Sequence, residues 1–564
     1  MVKIFIDRKN NSLLFAGVLL VCFLVSAVVR YQQFETWKKT PAAYFVGERP
    51  MMTTLDAPYW LRLAREYNEG IYGQKGGLRN YPENTDTFQE MSAKELSLPL
   101  KYTDPTPASS SSSLSSSSGT PEIHYRDVPL LSFLIAHIAQ FFNYNYYLIG
   151  TLLIPTFASL FILPLGIYFF QIGIPVSGLL GGLIGTFAGG YYMRSSIGRI
   201  DTDMLNLFFP ALASLLILLA SRAKSERAVL LYSVGTGLSM FLFQWWYNRP
   251  GFTLVYFMVL VFSLFIQQNR FRTYLLSALL FVLCAHPGKF ISATDPVPLN
   301  NFLKNYFVID ETASSTVIDD GTTPATFPNV FKTISEADTV HFEEVFRRIL
   351  SNTMIDWAGF LAFFALALLR WRVLLPLTPM LALGLLSFQS SNRFIMFLAP
   401  FIGIGLGWLL QLGIEAIFLL IANNIHHRED KEAKGKSKKV KGERLKVKGS
   451  LWASFYSLVA GTHLESTTKD TDNKIQGESI KVKGERGKGK GSFWEGREID
   501  WFGWARQGTL YLGMGIFFWM ISGQTAISFV PGPSIHPRVY TTFLEVKKRV
   551  PKDSALLTWW GYGH

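Results

Sequence analysis

Three acidic segments, far apart in the chain, carry the residue types that could do chemistry. Asp56 closes Met52-Thr53-Thr54-Leu55-Asp56, Asp201-Thr202-Asp203 stands immediately before an apolar run, and Glu336 closes Thr333-Ile334-Ser335-Glu336. Carboxylates from separate loops can jointly hold a hard divalent cation, which takes oxygen ligands, and such a cation can neutralise a departing diphosphate. Each feature also has a structural alternative. An acid in a loop is usually solvated, Thr333 and Glu336 satisfy the helix capping box, and Arg194, Arg199 and Arg393 suit interfacial anchors. Position favours a role for Asp201 and Asp203, since acids adjoining a hydrophobic run are costly to bury without a partner or a cation. The last segment is Thr558-Trp559-Trp560-Gly561-Tyr562-Gly563-His564. Its tryptophans lie too far beyond the nearest apolar run for a membrane aromatic belt, which abuts its span.

The elements that must position these residues are membrane helices. Of 564 residues, 49% are hydrophobic and 17% charged, at a mean hydropathy of +0.22, whereas soluble proteins carry about 25% charged residues. A soluble multidomain globule is excluded. The two cysteines, Cys22 and Cys284, sit inside apolar runs and can build neither a disulfide framework nor a thiolate metal site. The first run, Leu13–Val29, follows Lys3, Arg8 and Lys9 and lacks a small-residue cleavage pattern, so residues 1–30 read as an uncleaved anchor. Further runs cover 147–169, 175–193, 204–221, 227–247, 251–267, 272–286, 354–370, 373–389, 394–421 and 508–530. The expected fold class is therefore an α-helical polytopic membrane protein with about eleven spans, each near the ~20 residues a bilayer requires.

Alternation from a cytoplasmic start places every short basic loop on one face, including Arg222–Arg227, Asn269–Arg272 and Arg370–Arg372. The other face receives 31–146 (with a Ser-rich linker), 194–203, 248–250, 287–353, 390–393 and 531–564, and so all the acids singled out above. The net charge of +13 does not indicate nucleic acid. Between His426 and Arg497 there are 18 Lys and Arg against 10 Asp and Glu, so one cytoplasmic loop within 422–507 supplies most of the excess. No aromatic stacking pattern accompanies its lysines. Lys-Val-Lys-Gly-Glu-Arg occurs in it twice, at 439–444 and 481–486, which marks low complexity.

These segments together resemble the catalytic subunit of oligosaccharyltransferase in its single-subunit bacterial and archaeal form. The resemblance rests on Thr53-Thr54-Leu55-Asp56, on Tyr191-Tyr192-Met193-Arg194 through Asp201-Thr202-Asp203-Met204-Leu205, and on Thr333-Ile334-Ser335-Glu336. Ser390-Ser391-Asn392-Arg393-Phe394 and Trp559-Trp560-Gly561-Tyr562-Gly563 follow in family order. It implies a membrane fold of the GT-C type with up to thirteen transmembrane helices, and asparagine-linked protein glycosylation. A glycan would move from an undecaprenyl or dolichyl diphosphate carrier to the Asn of Asn-x-Ser/Thr, with inversion at the sugar. The carrier, the acceptor polypeptide and the surrounding lipids are the implied partners, and the implied address is the inner membrane with the active site on the periplasmic face.

Carried over residue by residue, Asp56, Asp201 and Glu336 would bind Mn²⁺ or Mg²⁺. Asp56 and Glu336 would engage the acceptor amide, with Asp203 and Arg194 supporting the site. Arg393 would contact the diphosphate, Arg348 would pair with an acidic residue two before the acceptor Asn, and Trp559, Trp560 and Tyr562 would line the Ser/Thr pocket. The chain departs from the family where Gly561 replaces the signature aspartate, and where it stops just beyond that signature. The expectation from this departure is a truncated C-terminal α/β domain beginning at 531–564 and poor peptide transfer. Two other readings stand beside this one. A membrane glycosyltransferase using polyprenyl-phosphate sugars on lipid or polysaccharide would need no sequon pocket. A transporter or channel would place polar residues within its spans.

Overall fold

The computed structural model describes residues 8–72, 128–247, 251–267, 271–286, 341–389, 392–436 and 501–550. Each of the eleven expected runs is helical. Among the described residues, six stretches are long and apolar enough to cross a membrane: Ser12–Lys39, Tyr146–Gln171, Thr202–Arg222, Glu226–Trp246, Trp371–Phe388 and Asn392–Phe418. Shorter apolar helices fill Pro175–Phe187, Phe252–Ile266, Phe271–Cys284 and Thr353–Leu369.

The elements used below are α1 (Arg8–Lys39), α2 (Ala57–Asn68), α3 (Leu130–Gln140), α4 (Tyr146–Ser159), α5 (Ile162–Gln171), α6 (Pro175–Phe187) and α7 (Phe208–Arg222). They continue with α8 (Glu226–Trp246), α9 (Phe252–Gln267), α10 (Phe271–Cys284), α11 (Phe342–Arg347), α12 (Thr353–Leu369), α13 (Thr378–Leu385), α14 (Ile395–Lys436), α15 (Trp501–Ser522) and α16 (Pro537–Arg549). Their starts follow local chemistry. Asn145, Ser225 and Asn352 cap α4, α8 and α12, each side chain accepting a backbone N–H from the first turn. Pro175 opens α6, where its missing N–H has no helical partner to lose.

The core of the bundle is α14, which packs against α6 and α12. Glycines allow the approach: a Cβ on Gly403 would lie 2.8 Å from Gly181 Cα, and one on Gly407 would lie 2.7 Å from Ser177 Cα. Without a hydrophobic driving force between helices in lipid, such close backbone contact is what holds them together. Burial follows this order, with 83% of the α14 membrane window enclosed against 22% for α1.

Three expectations need correction. The run 175–193 ends as a helix at Phe187, because Ala188 turns extended (ψ 137°) and releases the chain into the segment that carries Arg194 and Asp201. The run 508–530 is displaced: its helix is Trp501–Ser522. Arg506, which argues against a span start at 501, is paired with Glu415 of α14 at 3.2 Å. Third, segment 31–146 is not loop throughout, since its eleven-residue helix α3 buries Leu130, Leu131, Ile135, Ala136 and Ala139 against the bundle. Acids also occur inside helices. Asp356 is fully buried in the first turn of α12, and neither of its carboxyl oxygens has a hydrogen-bond partner among the described residues, a position that a neutral acid occupies at lower cost than a carboxylate.

Helix ends segregate into two groups. At one end, Arg222 Nη1 donates to Gln171 O, Arg370 Nη1 to Ile172 O, and Gln411 Nε2 to Gly173 O. At the other, Thr53 N donates to Gly198 O, Ala526 N to Phe187 O, Ser351 N to Gln524 O and Gly190 N to Arg348 O. The segments assigned to the acidic face thus meet one another, and the short basic turns gather at the opposite end.

Candidate active site

The segment after α6 folds as one helical turn (Gly189–Tyr192), a 3-10 turn (Met193–Ser195), a turn closed by Arg199 N to Ser196 O at 3.1 Å, and, after Asp201, a second 3-10 turn (Thr202–Leu205). Its tight course is pinned by buried side chains. Tyr191 Oη donates to Met204 O at 2.9 Å, and Trp246 Nε1 donates to Thr202 O at 2.7 Å.

Asp203 is completely buried and fully engaged. Arg194 reaches its Oδ2 with Nε at 2.7 Å and Nη2 at 2.6 Å. Arg393 Nη2 reaches Oδ1 at 2.6 Å, and Asn206 Nδ2 donates to the same oxygen at 3.0 Å. A buried carboxylate is tolerable only when paired and hydrogen-bonded in this way. Arg393 also lies over the Tyr247 ring, 5.3 Å from its centroid.

Asp201, two residues earlier, has a different environment. Its Oδ1 accepts from Thr202 N at 2.6 Å and from Thr202 Oγ1 at 3.3 Å, while Oδ2 has no hydrogen-bond partner among the described residues. Burial and the adjacent Asp203 charge push its carboxyl up to about 6, against the pull of Arg393, Arg194 and Arg199. A carboxylate held thus, with one oxygen unspent, suits an oxygen ligand for a hard cation.

Asp56 is exposed at the start of α2, where its backbone carbonyl accepts from Tyr59 N and Trp60 N and its side chain makes no capping bond. The strand just before it docks on the 193–203 segment through Thr53 N to Gly198 O (3.0 Å) and Thr53 Oγ1 to Ile197 O (3.2 Å). Gly198 adopts φ +77°, and a Cβ there would lie 2.5 Å from the Trp37 ring. The Asp56 and Asp201 segments are therefore physically joined.

Arg348 follows α11, and its Nε donates to Glu344 Oε1 at 3.0 Å. Glu344 also pairs with Arg347. These arginines hold the Glu344 carboxyl below the usual carboxylate range, the Arg348 hydrogen bond being the largest cause. Glu336, Trp559, Trp560 and Tyr562 lie outside the described residues. Among the described residues, no three His, Cys, Asp or Glu side chains form a metal-holding group.

Sequence reasoning passed over Arg30, Gln33 and Trp37 at the end of α1. Arg30 is completely buried and donates to Ser195 O, Ser195 Oγ, Thr186 O, Thr186 Oγ1 and Ser26 Oγ at 2.8–3.0 Å. Its guanidinium lies 4.9 Å from the Tyr192 ring centroid. Gln33 accepts from Ile197 N and donates to Phe529 O, and Trp37 Nε1 donates to Pro531 O. The available signal was spacing: positions 30, 33 and 37 fall on one helix face continuing the apolar run. Asn206 and Tyr247 carried no comparable signal.

Residues 124–428, more than half of the chain, match the family model described as oligosaccharyl transferase STT3, N-terminal. The chain belongs to the STT3 family. This STT3 chain is 24% identical over 300 residues to the undecaprenyl-diphosphooligosaccharide–protein glycotransferase of Campylobacter jejuni subsp. jejuni serotype O:2. It is 23% identical over 288 residues to the protein of that name from Campylobacter jejuni strain RM1221. Each match covers 45% of this chain and 40% of the relative, so the similarity spans less than half the length of these curated relatives. Among solved structures, the Archaeoglobus fulgidus oligosaccharyltransferase AglB, in complex with an inhibitory peptide and a dolichol-phosphate, is similar at a TM-score of 0.45 and 14% identity. That alignment covers 80% of this STT3 chain and 55% of the other. The apo form from the same organism gives 0.42 and 13%, over 88% and 64%.

Proposed function

We propose that this STT3-family chain transfers a glycan from a polyprenyl diphosphate carrier to the side-chain amide of Asn in Asn-x-Ser/Thr sequences of a translocated polypeptide. The observation that carries this reading is the buried Arg194–Asp203–Arg393 cluster beside Asp201, with the Asp56 segment docked on the same loop. Family membership and the glycotransferase activity for which the Campylobacter relatives are named support the donor and acceptor classes.

In this reading Asp56, Asp201 and Glu336 hold a divalent cation, Mn²⁺ or Mg²⁺, and the unspent oxygen of Asp201 fits that role. When bound, the cation supplies charge neutralisation for the departing diphosphate. Arg393 orients the diphosphate, its guanidinium pre-set by Asp203 so that little reorganisation accompanies binding. An amide nitrogen is a poor nucleophile because its lone pair is delocalised. Asp56 and Glu336 accept its N–H bonds and so weaken that conjugation, while the nitrogen attacks the sugar from the face opposite the departing phosphate. Arg348 reads an acidic residue two before the Asn, and Trp559, Trp560 and Tyr562 contact the Ser/Thr side. The carboxylate face is periplasmic and the membrane is the inner one, in keeping with the basic turns at the other end.

The test is transfer by the purified chain from a lipid-linked oligosaccharide to a fluorescent Asn-x-Thr peptide, with and without chelator. Transfer that needs the cation and the Asn and fails in Asp201→Asn supports the reading. Transfer to a lipid or polysaccharide acceptor with no use of the peptide would replace it with the runner-up chemistry.

A further inference from the structure

The end of the bundle opposite the carboxylates contains a cavity of about 340 Å³ between the α5–α6 turn, the end of α7 and the turn after α12. Three arginines are among its lining residues, Arg222, Arg370 and Arg372, together with Trp371, Leu369 and Ile172. None of the described residues that line it carries a carboxylate. Among the described residues, Glu415 lies within electrostatic reach of Arg370.

Two of these arginines are fixed in place by the fold. Arg222 and Arg370 each spend Nη1 on a carbonyl of the α5–α6 turn, Gln171 O at 2.7 Å and Ile172 O at 3.0 Å. Arg372 packs its guanidinium 5.4 Å from the Trp371 ring centroid. Capping and a charge bias toward one membrane face account for arginines at helix ends. They do not by themselves account for three arginines lining one recess. Arg227 and Arg272, in the first turns of α8 and α10 at the same end, do not line it. The rim adds an apolar component, with Leu368 78%, Leu369 47% and Trp371 49% exposed at the end of a membrane helix. A recess of this size suits a small charged head, planar guanidinium groups suit phosphate oxygens, and the exposed leucines suit acyl chains beside it.

We infer that this cavity binds the phosphate diester headgroup of an anionic membrane lipid, in the leaflet opposite the carboxylate site. The inference is independent of the glycosyl-transfer reading, because it uses none of the residues of that site. A zwitterionic headgroup is a poorer fit, since its own ammonium competes with the arginines for the phosphate.

The experiment is native mass spectrometry of the detergent-purified full chain, titrated with phosphatidylglycerol, phosphatidylcholine or inorganic phosphate. Phosphatidylglycerol should be retained in preference to phosphatidylcholine. Arg222→Gln/Arg372→Gln should lower that retention about tenfold or more, the scale of a lost charge-assisted hydrogen bond. Arg227→Gln/Arg272→Gln removes the same charge from the same end and should leave retention unchanged. Arg372→Gln alone, at an exposed side chain, should also reduce retention with an unchanged melting temperature, and Arg372→Lys should retain part of it. Equal losses in the two double variants, or no loss in Arg372→Gln, would overturn the site. Displacement of the lipid by an equal concentration of inorganic phosphate would overturn the lipid as its occupant.

Discussion

Arg393 and Asp203 are 190 positions apart in the chain, yet a guanidinium nitrogen of one lies 2.6 Å from a carboxylate oxygen of the other. Because Arg194 takes the second oxygen of Asp203, one buried carboxylate fixes two cations contributed by different helical segments. Asp203 and Asp201 thus have separable duties, although they are neighbours in sequence.

Separable duties give different mutant behaviour. Asp203→Asn leaves two guanidinium groups facing a neutral amide, and breaking a buried pair of this kind costs about 3–5 kcal/mol. Asp201→Asn removes a carboxylate whose bonds are to its own neighbour Thr202, so the melting temperature should shift little. Thermal unfolding of the detergent-solubilised variants checks the first statement. Titration with Mn²⁺ checks the second, with Asp201→Asn weakening cation binding far more than it weakens the fold.

Arg30 should act through the loop it holds. Replacement by Met strands the Ser195 and Thr186 carbonyls and nearby hydroxyls, and each buried unsatisfied group costs about 1–3 kcal/mol. Arg30→Lys offers a charge but fewer directed donors, so it should fall between wild type and Arg30→Met. Proteolysis within 193–203 reports the loop directly. An unchanged cleavage rate in Arg30→Met would show that Arg30 does not hold that segment.

Gly198→Ala should cost about 1–2 kcal/mol for the left-handed backbone alone, before the clash of its Cβ with Trp37 is counted. Because Gly198 O is the acceptor for Thr53 N, the Asp56 segment should shift as well. Transfer activity should fall with Gly198→Ala by more than the loss of folded protein explains, as measured on the folded fraction.

The Arg348 assignment carries a pH expectation. Glu344 is held below the usual carboxylate range, so its pairing with Arg348 is present at neutral pH and disappears only as pH falls through that lowered value. Any preference for an acidic residue two before the Asn should therefore be flat between about pH 6 and 8, since the lowered Glu344 carboxyl stays ionised throughout that range. Glu344→Gln removes the internal competitor and should sharpen the preference. Competition between peptides with Asp or Ala at that position measures both.

Most of the helical frame was legible because a bilayer imposes length and polarity on each span, and runs such as 227–247 announce themselves. Helix α3 was not, since eleven apolar residues are too few to span and its burial depends on α2 and α4 packing around it. The displacement of the last helix has an equally local cause. Arg506 looks like the end of a span until Glu415 is placed beside it. The acids were visible as types and positions, whereas the division of labour between Asp201 and Asp203 depends on Arg393, which no local pattern connects to them.

The burial of Arg30 bears on how the chain is made. α1 is synthesised well before its partners: the carbonyls and hydroxyls that satisfy its guanidinium belong to Thr186 and Ser195, more than 150 residues later. Until those arrive, the charge has only Ser26 of its own helix and must stay at the aqueous edge of the bilayer, because an uncompensated arginine within it is costly. α1 is therefore expected to reach its final depth only once the 186–195 segment has folded, so that one buried arginine couples the two segments during assembly.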